Sequence, residues 1–151
     1  MSNLGRVMNG HTDRLLLQNP IQNGVPAVWL GIGHQRQKCR AVPLLVARMW
    51  LPEPERYDFI SPIQLDGDRT NCCVENLAWR PRWFSIAYHR EFNLNLYPNW
   101  KVPIQILETE EIFPHPRPPA TKYGVLETDI YKSIREETFV FPHWFHFRLV
   151  D

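Results

Sequence analysis

Apolar and polar residues alternate over Val74-Glu75-Asn76-Leu77-Ala78-Trp79, the period-two pattern of a half-buried strand. Just before it, Asp66-Gly67-Asp68 supplies the positive φ and the side-chain-to-backbone bonds of a short reversal. Residues 62–79 therefore predict a strand end, a tight polar turn and a returning strand. Upstream, Leu15–Gln18 and Ala27–Ile32 predict two strands joined by a turn at Asn19–Gly24, where Asn23-Gly24 is the turn signal. A second turn is expected at Gly31 to Gly33, followed by a polar, basic connection, His34–Arg40. Val42–Trp50 reads as a helix with Leu44, Leu45, Ala47 and Trp50 on one stripe, stopped by Pro52 and Pro54. After Pro81, which suits a first helical turn, Phe84, Ala87, Tyr88 and Phe92 keep helical spacing. Asn93–Val102 reads as a linker that packs on something, and a new unit starts at Val102.

Composition narrows the class. The 14 prolines among 151 residues argue for short elements. A hydrophobic content of 44% and an aromatic content of 13% mark a folded chain. No apolar run approaches the roughly 20 residues of a membrane span, and Met1–Gly5 lacks the basic and apolar regions of a signal peptide. No membrane association and a cytoplasmic location are expected. Cys39, Cys72 and Cys73 form no C-x-x-C pair and read as reduced thiols, with zinc ligation by Cys72 and Cys73 the less favoured alternative.

Net charge is +1, but it is unevenly spread. Residues 1–50 carry +5 and residues 79–105 carry +3, against −4 over 51–78 and −3 over 106–151. Basic first and third segments suit a phosphate-facing surface. Arg36, Lys38 and Arg40 alternate, which places all three on one strand face.

The run Asp66, Gly67, Asn71, Glu75, Asn76, Leu77 and Trp79, preceded by Leu44–Pro54, resembles the HNH homing endonucleases, in which "HRLVA…F-P-N-P" precedes "NHIDG-x-x-x-N-N-x-x-ENL-x-W". The resemblance implies a ββα core. Ser2–Val7 resembles the "SN-x-GRV" opening of the small DNA-binding module placed ahead of such cores in phage enzymes. Val102–Phe113 is similar to their C-terminal repeat. Lys122–Arg135 matches the turn and second helix of its helix-turn-helix, and Val140–Phe147 its closing strand. The second helix then puts Ile130 and Ile134 inward and Thr128, Tyr131, Lys132 and Arg135 toward a groove. His115-Pro116-Arg117-Pro118-Pro119 argues against the first helix of the pair. Glu127, Asp129, Glu136 and Glu137 place acids beside the DNA face. His143 and His146 are expected on opposite strand faces.

The departures concern the chemistry. Gln64 stands where the family keeps its general-base His, Ile63 where many members have a metal ligand, and Pro43 at the His of "HRLVA". An amide accepts no proton at neutral pH and an alkyl group binds no ion, whereas phosphodiester cleavage needs a base and a hard cation. His89 is the candidate remnant base, and Asp66, Asn76 and His89 are what is left of a metal set. Asn71 and Asn76 are expected to hold the turn instead.

The fold class expected is α+β: a strand-rich basic module (1–40), an HNH-like ββα core (41–95) and a small C-terminal α/β, helix-turn-helix-like module (96–151). The function expected is occupancy of DNA without cleavage, repressor-like, through Arg36, Lys38, Arg40, Arg80, Arg82, Thr128, Tyr131, Lys132 and Arg135. No cofactor is expected, and Mg2+ or another divalent ion enters only if the chain cuts. One alternative is a protein-binding inhibitor or adaptor, suggested by near-neutral charge and six Trp. The other is an active metal-dependent nuclease. A phage-encoded chain would work in the bacterial host cell.

Overall fold

The computed structural model describes residues 1–31, 33, 36–94 and 100–150. The end of the predicted second strand (Ile32), part of the basic connection (His34 and Gln35) and the middle of the linker (95–99) lie outside them. The architecture is mixed α+β with small antiparallel sheets. The chain forms two compact units, Met1–Arg82 and Trp83–Asp151, so helix α2 (Arg82–Leu94) begins at their junction. No helix among the described residues is long and apolar enough to cross a membrane.

In the first unit β1 (Asn19–Pro20), β2 (Pro26–Gly31) and β3 (Gln37–Ala41) form an antiparallel sheet in that order. Helix α1 (Val42–Trp50) leaves β3 directly. The hairpin of β4 (Ser61–Gln64) and β5 (Leu77–Arg80) pairs Gln64 with Leu77 and Ser61 with Arg80. Val28, Val42, Val46, Cys72 and Leu77 share one core. The Asn23-Gly24 turn forms as expected, with both residues at positive φ (66° and 77°).

Three local expectations change. Leu15–Gln18 is not a strand: Leu15 bridges Met8 alone, and Leu15 and Leu17 are 64% and 78% exposed. Only Leu16 packs on the core, because three consecutive leucines cannot all face it in extended chain. In α1 the buried stripe is Val42, Pro43, Val46 and Ala47, with Leu44 and Leu45 half-buried and Trp50 exposed; the i, i+4 pair of valines at the strand exit sets the face. Val74–Asn76 is a 3-10 turn, and the returning strand begins at Leu77, since Asn76 spends its side chain on the loop.

The N-terminal turn is docked on this core. Val74 N–H donates to the Asn3 carbonyl (2.8 Å) and the Gln18 amide to the Gly5 carbonyl (2.6 Å). Gly5 adopts φ +83°, and a Cβ there would stand 3.0 Å from Cys72 Cβ and 3.2 Å from Val42 Cγ1.

In the second unit β6 (Ile104–Ile106) is flanked by β7 (Ile112–Phe113) and β8 (Phe147–Leu149). Helices α3 (Arg117–Tyr123) and α4 (Glu127–Glu136) are separated by Gly124-Val125-Leu126. Ile104, Ile106, Ala120, Val125 and Ile130 belong to one core. The proline run does not prevent α3. Pro118 and Pro119 fall in its first turn, where the missing N–H groups have no intrahelical acceptor to lose. Gly124 ends it at φ 59°, the left-handed position that glycine fills without cost. The closing strand is Phe147–Leu149, which meets the expected span, Val140–Phe147, only at its last residue. Val140 and Phe145 bridge across a turn in which Trp144 has φ 60°. His143 therefore sits in a turn, with its Nε2 at 2.9 Å from the Tyr123 carbonyl. His146 Nδ1 lies 2.7 Å from Glu108 Oε1.

Candidate functional site

The hairpin loop is held by its own polar side chains. Leu65 N–H donates to the Asn76 carbonyl and Gly67 N–H to the Gln64 carbonyl. Asp66 Oδ1 accepts from Asp68 N–H (2.9 Å) and from the Asn76 amide (2.9 Å). Its Oδ2 accepts from the Asn71 amide (2.7 Å). Asn76 Oδ1 in turn accepts from Asp66 N–H (3.0 Å), and its NH2 also reaches the Asn71 carbonyl (3.1 Å). Thr70 donates its hydroxyl and its N–H to Asp68, which keeps that carboxyl below the ordinary range. Gln64 is 2% exposed and donates its amide to the Arg69 carbonyl (3.2 Å), beside a fully buried Ile63. Burial pushes the neighbouring Cys72 thiol up to about 11, aided by the Asp68 charge.

His89 belongs to the second unit. It is 6% exposed and donates its Nδ1–H to the Ser85 carbonyl at 2.8 Å. Among the described residues, no three His, Cys, Asp or Glu side chains converge as a metal-ligand group would.

The candidate DNA contacts fall in two places. In the first unit Lys38 pairs with Leu30 and Arg40 with Val28. Directly paired residues share a face of an antiparallel sheet, so these cations border the face that carries the core residues. Arg36 and Lys38 are exposed and Arg40 is half-buried. Trp29, on the opposite face, is 55% exposed. Arg80 is 6% exposed, with Nη1 donating to the Trp79 carbonyl, while Arg82 is exposed.

In the second unit Thr128, Tyr131, Lys132 and Arg135 line one groove of about 630 Å³, together with Trp100, Ile134 and Glu136. The rings of Trp100 and Tyr131 meet edge to face, 4.6 Å apart. Lys132 and Arg135 are exposed, and Arg135 pairs with Glu136 at 2.5 Å. Ile130 is fully buried and Ile134 packs on the core. Of the four acids expected beside this face, Glu127 is turned inward and paired with Arg117 at 3.2 Å. The Arg117 guanidinium also lies 4.5 Å over the Phe92 ring.

The N-terminus of α4 has no cap of its own. Glu91, on α2, provides it: Oε2 accepts from Glu127 N–H at 2.7 Å, and Oε1 accepts from Thr128 N–H at 3.4 Å and from the Thr128 hydroxyl. Thr128 therefore borders the groove with its hydroxyl already committed. Glu91 and Trp100 were not among the sequence candidates. Glu91 stands seven residues after Phe84 and three after Tyr88, an acid on an apolar stripe, which is itself the signal of a buried partner. Trp100 lies in the segment read as a packing linker.

No protein-family model matches the chain, and no curated protein matches it in sequence. A solved structure describing DNA binding and cleavage by the HNH homing endonuclease I-HmuI is similar in fold. The TM-score is 0.50 at 16% identity, over 99% of this chain and 90% of that one. The likeness is one of fold, and the fold is HNH-like.

Proposed function

We propose that this chain binds DNA on a nuclease-type fold and acts by occupying its target, as a repressor does, without cutting. One observation carries this reading. At the turn where an HNH enzyme keeps its base and metal, the side chains are closed on one another. Both Asp66 oxygens accept from loop donors, Gln64 is buried as an amide donor and Ile63 offers only alkyl surface. A divalent ion does not fit this donor set, because a lone carboxylate already engaged by three N–H groups replaces the several free oxygens such an ion takes. The fold likeness to an enzyme that binds DNA supports the partner. The exposed cations on β3 and α4 support the place of contact.

Measuring affinity for duplex DNA against salt, together with plasmid nicking, tests the proposal. Binding that weakens steeply with salt is expected, with no nicking on addition of Mg2+ or Mn2+. Metal-dependent nicking abolished by His89→Ala would restore the nuclease reading, and salt-insensitive or absent binding would remove DNA as the partner. Neutralising Arg36 and Lys38 together to Ala is expected to weaken binding about tenfold or more, uniformly across sequences. The slope of log affinity against log salt should fall by about 2; an unchanged slope would place the contact elsewhere.

A protein partner is the second reading. Trp29, Trp83 and Trp144 are each more than half exposed, unusual for residues that anchor interfaces when covered. Co-purification surviving nuclease treatment and high salt would favour it.

A further inference from the structure

Two independent features of α4 bear on which form of DNA it meets. A helix that reads a duplex contacts base edges with its N-terminal residues. Here that end is taken: the Glu91 carboxylate accepts from Glu127 N–H and Thr128 N–H, and the Thr128 hydroxyl is bound to the same group. A carboxylate at the reading end also repels the phosphates on either side of a major groove. The exposed flank of the helix is moreover concave. Its groove of about 630 Å³ brings the Trp100 and Tyr131 rings and the Ile134 side chain together, with Lys132 and Arg135 at its edge. Such a site takes a ligand with a flat apolar body and a negative charge beside it. A stacked duplex shows only base edges and phosphate, whereas an unstacked nucleotide shows a ring face and its own phosphate.

We infer that the groove between Trp100 and α4 captures an unstacked nucleobase, so that this chain prefers single-stranded or locally opened DNA to intact duplex. The inference rests on the DNA-binding reading above and narrows its substrate. The base packs against the Trp100 and Tyr131 rings, while the adjoining phosphate meets Lys132 and Arg135. Arg135 then exchanges Glu136 for phosphate, and Asp129, on the same helix near Lys132, limits how much anionic charge the site tolerates.

Fluorescence anisotropy of the full-length protein, at one low salt concentration, compares three labelled probes. They are a thymidine oligonucleotide, an intact duplex of equal length and the same duplex with one unpaired thymidine. The unpaired and single-stranded probes are expected to bind about tenfold tighter than intact duplex, a difference of about 1.4 kcal/mol. Trp100→Ala should remove that preference, bringing the three affinities together. Trp100→Phe, which keeps a stacking ring, should retain most of it and controls for misfolding. Equal affinity for all three probes, or a preference untouched by Trp100→Ala, overturns the inference while leaving duplex binding standing. Failure to bind any probe overturns both. A uridine ribo-oligonucleotide bound more tightly than the thymidine one overturns DNA as the source of the base.

Discussion

Glu91→Ala is expected to destabilise the second unit by about 2–4 kcal/mol, the combined scale of a lost helix cap and of buried donors left unpaired. The substitution strips the α4 terminus of its acceptor for Glu127 N–H, Thr128 N–H and the Thr128 hydroxyl. Glu91→Gln keeps one acceptor oxygen but brings an NH2 against the same donors, and should fall in between. Urea unfolding followed by far-UV circular dichroism measures both. A loss below about 0.5 kcal/mol for the alanine variant, the scale of an ordinary surface change, would show that the cap does not hold the helix. The same carboxyl gives the unit an unusual pH response. Burial raises Glu91 above the ordinary glutamate value of 4.5, against the lowering effect of the bonds from Thr128 and Glu127. Burial also raises Glu127, against the pull of Arg117, and Asp129, against that of Lys132. A folded state that holds a proton more tightly than the unfolded chain has that stabilisation in full below the unfolded value, and loses it as pH rises through the folded one. Stability carried by these three groups therefore declines as pH climbs above their ordinary values, 3.8 for Asp129 and 4.5 for Glu91 and Glu127, and Glu91→Gln should flatten the decline. Glu111, lowered chiefly by its bond from Lys122, and Glu136, lowered by Arg135, act in the opposite sense on the acid side.

Gly5→Ala should cost the first unit about 2–4 kcal/mol, from about 1–2 for a side chain in left-handed backbone and a similar amount for overpacking. The new methyl would meet Cys72 Cβ at 3.0 Å and Val42 Cγ1 at 3.2 Å. Neither neighbour is the free end of a long chain, so the turn must move. Gly24 is the matched control: its φ is +77° but nothing stands within 4 Å of its would-be Cβ. Gly24→Ala should therefore cost only the backbone share, about 1–2 kcal/mol. Equal losses in denaturant titrations of the two variants would mean that the N-terminal turn is not seated against the core.

What the sequence made legible was what local chemistry determines. Val42–Trp50 is helical over the whole expected span, because Pro52 and Pro54 punctuate it. The turn around Gly67 forms because Asp66, Asn71 and Asn76 bond within ten residues of one another. The groove residues of α4 share a face because 3.6-residue geometry puts them there. Long-range contacts stayed hidden. Nothing near Glu127 announces that its N–H is capped from 36 residues away, and nothing near Arg80 says that its guanidinium is buried. The first turn of α3 is hidden for a different reason. Prolines break a helix interior but suit its start, and period alone does not tell those positions apart when the preceding cap, Pro116, has no side-chain hydrogen bond to give.

The covered thiol beneath the N-terminal turn has a practical corollary. With its proton held to about 11 and only 5% of its surface open, Cys72 is a poor target for electrophiles and oxidants while the turn is closed, since thiolate is the reacting species. Cys39 and Cys73 are only partly covered. An alkylation footprint at neutral pH would thus separate them from Cys72, making that sulfur a native sentinel for the lifting of residues 2–7, with no dye or engineered label required.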